Sequence, residues 1–125
     1  MNRRTSRTPP RPTVANLRND LRRFAAARDW EQFHTPKNLA MALSVEAAEL
    51  LECFQWLTPE QSAALRADDR KAVEEEIADV LLYLLRLSDV LEIDPLRAAQ
   101  RKMTINRRKY PVALSRGSAR KYSRR

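Results

Sequence analysis

Four carboxylates stand at two matched spacings in this chain: Glu46 and Glu49 in SVEAAEL, and Glu76 and Asp79 in EEEIADV. Residues three apart on a helix are neighbours, so each pair would set its acids side by side. Placed on a helix, residues 36–57 give an apolar stripe of Leu39, Leu43, Leu50, Cys53 and Leu57 with Glu46 in its middle. The second pair flanks the stripe Val73, Ile77, Val80, Leu84 and Leu87. If the two helices pack, the acids meet at the edge of a core, where burying charge without compensation is costly. A divalent cation supplies that compensation. Mg2+ suits a set of hard oxygen ligands and keeps coordination positions for water and phosphate oxygens. Two blander arrangements would also accommodate the acids, namely a solvated helix face and a helical oligomer with intersubunit Arg–Glu bridges.

The elements that must position these acids are readable from caps and periodicity. Thr13 caps a first helix over 14–29 with apolar positions Val14, Leu17, Leu21, Phe24 and Ala25. Thr35-Pro36 opens the second, to about 57, and Thr58-Pro59-Glu60-Gln61 opens a short third, to about 67. A fourth helix is predicted over 69–92, with Glu74, Glu75 and Glu76 near its positive end, and Asp94-Pro95 starts a fifth that stops before Pro111. No segment reads as a strand, so the fold class is all-α.

Composition narrows the chemistry. The only glycine of the 125 residues is Gly117, which excludes the glycine-rich phosphate loops of Walker or dinucleotide type. One cysteine and one histidine exclude an intrachain disulfide and argue against a zinc site. Cys53, on the apolar stripe, reads as a buried structural thiol. The net charge of +8 belongs to the ends, since residues 13–115 hold fifteen basic and sixteen acidic side chains. The Arg- and Pro-rich arm 1–12 and the Arg/Ser-rich tail 115–125 are predicted to be disordered, around a single domain spanning 13–114. No apolar run approaches the roughly 20 residues of a membrane span. The arginine-bearing N-terminus also lacks the apolar core of a secretory signal, which makes the cytoplasm the expected location. A chain this short is expected to complete its core by oligomerising.

Around the acids stand residues able to hold a nucleotide. Trp30 and Trp56, near helix ends, could stack a base, whereas Phe33 is assigned to the core. Tyr83 lies one turn after Asp79. His34, on residues alone, reads as a surface or capping histidine. Lys102 and Asn106 share a face of the fifth helix at i, i+4, where they could reach phosphate or ribose oxygens. The basic last turn there also suits the helix dipole.

The segments RDWEQFHTPKNLAMALSVEAAELLECFQW, EEEIADVLLYLLRLSD and KMTINRRKYP, in that order, resemble the MazG-like nucleotide pyrophosphohydrolases, most closely their small dCTP pyrophosphatase branch. The resemblance covers roughly 14–111. It implies a four-helix-type core, a dimer or tetramer, and Mg2+-dependent cleavage of a nucleoside triphosphate between the α- and β-phosphates. By position it assigns Glu46, Glu49, Glu76 and Asp79 to the metal; one of these carboxylates, with Glu49 as the candidate, would orient or deprotonate the attacking water. It assigns Trp30, His34, Trp56 and Tyr83 to the nucleotide, and Lys102 and Asn106 to phosphate or sugar. Two positions depart from the family pattern: Val45 stands where the longer motif has a further acid, and Leu21 where close relatives carry a histidine that bears on base choice.

The rival reading is a non-enzymatic helical protein that binds nucleic acid through its basic tails. Deleting residues 1–12 and 116–125 separates the two. Hydrolysis with Mg2+ should persist while any salt-dependent DNA binding disappears; loss of all activity with the tails would favour the rival.

Overall fold

Helix starts in this protein are set by side-chain caps. The Thr13 hydroxyl accepts from the Asn16 N–H (3.1 Å) at the head of α1, Val14–Ala27. Thr35 accepts from the Asn38 N–H (3.2 Å) at the head of α2, Pro36–Glu52. Thr58 and Gln61 form a reciprocal capping box, at 3.1 and 3.0 Å, on α3, Pro59–Ala63. The long α4, Ala67–Val90, follows, and the Asp94 carboxylate accepts from the N–H groups of Leu96 and Arg97 to start α5, Pro95–Lys109. A four-residue α6, Val112–Ser115, and 3-10 turns at Glu31–Phe33 and Tyr122–Arg124 complete the elements. This computed structural model describes residues 8–124, and among the described residues every regular element is helical.

Helix ends differ more from the sequence reading. The first helix stops at Ala27, two residues early, because Asp29 adopts a left-handed conformation (φ 53°). The Trp30 N–H then returns to the Ala25 carbonyl (2.9 Å) and the Asp29 N–H to that of Ala26 (3.2 Å), a Schellman motif made without glycine. Glu92 (φ 56°) takes the same conformation after α4. The second helix ends at Glu52 instead of about 57: the N–H groups of Cys53 and Phe54 bond three residues back, to Leu50 and Leu51, and tighten the chain into turns before Thr58-Pro59. The third ends at Ala63 instead of about 67.

The chain divides into two units, residues 1–91 and 92–125. In the first, α4 packs against both α2 and α1, and α3 is a short connector. Ala25, Leu39, Val73 and Leu85 are its buried apolar residues, with Leu39 the largest fully buried side chain at 1 % exposure. The α2 stripe expected from sequence points inward along its length. On α4 the expectation is half met. Val73, Val80 and Leu87 turn inward, while Ile77 and Leu84 are exposed and, with Leu81, form an outward apolar stripe at i, i+4, i+7. Phe33, assigned to the core, is 58 % exposed.

The second unit contains α5, α6 and the terminal 3-10 turn. Tyr122 meets Tyr110 edge-on (centroids 5.9 Å apart) and lies under the Lys109 ammonium (4.9 Å). These elements after Pro111 carried no signal in the Arg/Ser-rich composition. Residues 1–7, most of the arm expected to be disordered, lie outside the described residues.

Replacing Leu39 by Ala removes the best-enclosed side chain at the α2–α4 seam and should cost about 3 kcal/mol in chemical denaturation. A loss below about 1 kcal/mol would contradict this account of the core.

Candidate active site

The two acid pairs meet. One carboxylate oxygen from each of Glu46, Glu49 and Glu76 lies within 4.8 Å of the other two. Glu46 stands at the centre of the inward stripe of α2, and Glu49 one turn on. Glu76 takes the inward position on α4 that its stripe reading gave to Ile77. Asp79, one turn further along α4, adds its charge to the group and raises the pKa of both Glu46 and Glu76.

The electrostatics of this cluster are unfavourable as it stands. Burial, then hydrogen bonding to Glu49 and repulsion from Glu49, Asp79 and Glu76, push Glu46 up to about 7. Glu76 is raised too, by burial first and then by Glu49 and Asp79. Glu46 Oε2 and Glu76 Oε2 are buried without a hydrogen-bond partner. Native proteins satisfy such atoms or use them. Two orphaned oxygens facing a third carboxylate provide what a hard divalent cation requires. The donor set fits Mg2+, and no nitrogen or sulfur ligand is present in the group.

Beside the acids lies a cavity of about 270 Å³, lined by Leu21, Phe24, Trp30, His34, Asp79, Leu82, Tyr83 and Arg86. Asp79 thus belongs to the acid group electrostatically and to the cavity wall sterically. Residues 79, 82, 83 and 86 form one face of α4 over two turns. The Schellman turn after α1 places Trp30 edge-on to Phe24 (5.7 Å), and Trp30 in turn meets the His34 ring at 6.3 Å. Arg28 stacks over the other partner, 3.5 Å from the Phe24 centroid. The cavity thus has an aromatic wall of Phe24 and Trp30 and a polar wall that includes His34, Asp79 and Arg86.

A family model described as the MazG-like family matches residues 41–124. The chain belongs to the MazG-like family. It is 47 % identical over 116 residues to dCTP pyrophosphatase 1 of Rattus norvegicus, an alignment covering 91 % of this chain and 68 % of that protein. Over 116 residues it is 46 % identical to dCTP pyrophosphatase 1 of Homo sapiens, with the same coverage, 91 % and 68 %. The crystal structure of a pyrophosphatase from Archaeoglobus fulgidus superposes with a TM-score of 0.76 at 48 % identity, covering 83 % of this chain and 97 % of that one.

In this MazG-like chain the residues singled out from sequence fall into three groups. Glu46, Glu49, Glu76 and Asp79 come together, and Trp30, His34 and Tyr83 line the adjoining cavity with Asp79. Trp56 follows the end of α2 in a turn and is 87 % exposed, away from the cavity lining. Lys102 and Asn106 lie one turn apart on α5, in the second unit. Cys53 fits its structural reading, half-buried with its thiol donating to the Glu49 carbonyl (3.6 Å).

Arg86 and Leu82 line the cavity without a sequence reading, and Phe24, read only as an apolar position of the first helix, lines it too. Only the i+3, i+7 spacing of Leu82 and Arg86 from Asp79 could have found the first two. Leu21, flagged as a departure from the family pattern, does line the cavity. His34, read as a surface or capping side chain, is half-buried in its wall.

The raised acids predict a pH-dependent stability. A folded pKa above the unfolded value means that the metal-free folded state binds more protons between about 4.5 and 7. Stability then falls as pH rises through that window. The Tm of metal-free protein should drop between pH 5 and pH 8 on account of this cluster, and Mg2+ should restore it most above pH 7. Glu46→Gln should raise the metal-free Tm at pH 8 and abolish the Mg2+ response. A metal-free Tm insensitive to Glu46→Gln at pH 8 would contradict the assignment.

Proposed function

We propose that this MazG-like hydrolase splits dCTP, or a modified deoxycytidine triphosphate, into the nucleoside monophosphate and pyrophosphate, with Mg2+ held by Glu46, Glu49, Glu76 and Asp79. The observation that carries the reading is the pair of buried, unpartnered carboxylate oxygens beside a cavity that shares Asp79 with them. The relatives named dCTP pyrophosphatase 1 support the choice of substrate. The rival nucleic-acid-binding reading leaves these acids without a purpose, because without a cation they repel phosphate.

Held by Glu46, Glu49, Glu76 and Asp79, Mg2+ would supply charge screening for the triphosphate and acidify the attacking water. The remaining work falls to the chain's own side chains. Trp30 and the aromatic edge behind it stack the base, and Tyr83 and His34 approach it from the other walls. Glu49 takes the proton of the water that attacks the α-phosphorus. Trp56, exposed after α2, serves the nucleotide from outside the cavity. Lys102 and Asn106, sharing a face of α5, take phosphate or sugar oxygens, as the family resemblance assigns them.

A second copy of the chain completes the core. The exposed stripe Ile77, Leu81 and Leu84 on α4, with Met41 and Val45 exposed on α2, is the surface suited to that contact and to a dimer or tetramer. Its single free thiol, half-buried, is compatible with a reducing cytoplasm, and among the described residues no helix is long and apolar enough to cross a membrane.

A panel of nucleoside triphosphates with Mg2+ tests the assignment. Pyrophosphate and monophosphate should be released, fastest from dCTP or its modified forms, and Glu49→Gln should lower kcat by about a hundredfold or more. Release of orthophosphate and a diphosphate would place the cleavage at the wrong bond.

A further inference from the structure

Arg86 is buried, 8 % exposed, and lines the cavity from α4. Its Nε–H donates to Nδ1 of His34 at 3.0 Å. Its Nη1 lies 3.5 Å from Asp89 Oδ2, and Asp89 is itself gripped by Arg22 of α1, whose Nε donates to the same oxygen at 2.7 Å. A relay of charge-assisted contacts thus runs from α1 through α4 to the turn before α2, ending on the imidazole. Arg18 adds a further positive charge near Asp89, which the hydrogen bond from Arg22 and the charges of these arginines hold below its ordinary value.

The chemistry of the last contact is directional. A guanidinium has only donors and does not lose its proton. The nitrogen that meets it must therefore offer a lone pair, so Nδ1 of His34 is unprotonated. A neutral imidazole then carries its proton on Nε2, the ring nitrogen left free for a ligand. Burial and the Arg86 charge hold His34 below its ordinary value, with Glu31 opposing them, in keeping with a neutral ring.

We propose that Arg86 is a specificity-determining positioning residue: by fixing His34 as the Nε2–H tautomer it makes the polar wall of the cavity a hydrogen-bond donor. The wall thereby selects a base through an acceptor, a ring carbonyl or ring nitrogen. Cytosine offers two adjacent acceptors, O2 and N3, for such a wall while its ring stacks on Trp30. The opposite tautomer would present a lone pair and favour an exocyclic amino group. The identity of the base rests on the substrate reading above; the tautomer does not.

Because the chain contains one histidine, its imidazole nitrogens can be assigned without ambiguity in long-range 1H–15N spectra of the labelled full chain. At pH 7.5, Nδ1 should resonate as an unprotonated nitrogen and Nε2 as a protonated one. The reverse pattern, or an even mixture, overturns the proposal. In Arg86→Met the imidazole should drift towards a mixture, and KM for dCTP should rise about tenfold, the equivalent of one lost hydrogen bond, with kcat changed far less. Arg86→Lys, which keeps a cationic donor, should recover part of both effects. A properly folded Arg86→Met with unchanged nitrogen shifts and unchanged KM would also overturn it. Should Arg86→Met fail to fold, the wild-type spectrum still decides the tautomer. Absence of dCTP hydrolysis by the wild type, with the Nε2–H pattern intact, would defeat the substrate assignment and leave the tautomer standing.

Discussion

Mutual repulsion among Glu46, Glu49, Glu76 and Asp79, held at the seam of α2 and α4, is the constraint around which the first unit is arranged. Helix packing brings the acids together, and the apolar neighbours on the same stripes deny them water. A buried carboxylate in that position has two ways to lower its energy: take a proton or share a cation. The raised pKa of Glu46 expresses the first, and the two unpartnered oxygens leave room for the second. The core stability of the fold and the chemistry of its site are therefore in opposition until a cation is bound.

Everything on the base side is fastened to this seam through α4. Asp79 faces both the acids and the cavity, and Leu82, Tyr83 and Arg86 continue the same face of the helix. Across from them, the glycine-free Schellman turn at Asp29 fixes where Trp30 points, and the Thr35 cap fixes where α2 begins. His34 lies between those two constraints and receives its third from Arg86. One side of the cavity thus adjoins acids that crowd one another, and the other holds Arg86, which shares the Asp89 carboxylate with Arg22. Keeping the two charge systems separate on one helix lets each be tuned without disturbing the other.

Much of this was legible in the residues because it is local. Thr35-Pro36, Thr58-Pro59 and Asp94-Pro95 mark helix starts through hydrogen bonds that span three residues, and all three caps form. The acid spacing is local as well, and a carboxylate inside an apolar stripe is conspicuous. What was not legible depends on contacts across long stretches of chain. Arg22 meets Asp89 over 67 residues and Arg86 meets His34 over 52, and no pattern in either segment announces the other. The α4 stripe was misjudged because Glu76 and Ile77 are adjacent, and a rotation of one residue about the helix decides which faces inward. The end of α2 at Glu52 was missed because no glycine or proline marks it; the chain tightens by bonding three residues back.

The central claim, that one site is shared between a proton and a divalent cation, is tested most directly by calorimetry of Mg2+ binding at pH 7 in buffers of different ionisation enthalpy. The account predicts that binding releases a substantial fraction of a proton per site, and that this release fades by pH 8.5, where Glu46 has already lost its proton. Binding with no proton release at pH 7, or no binding at any pH, would contradict it.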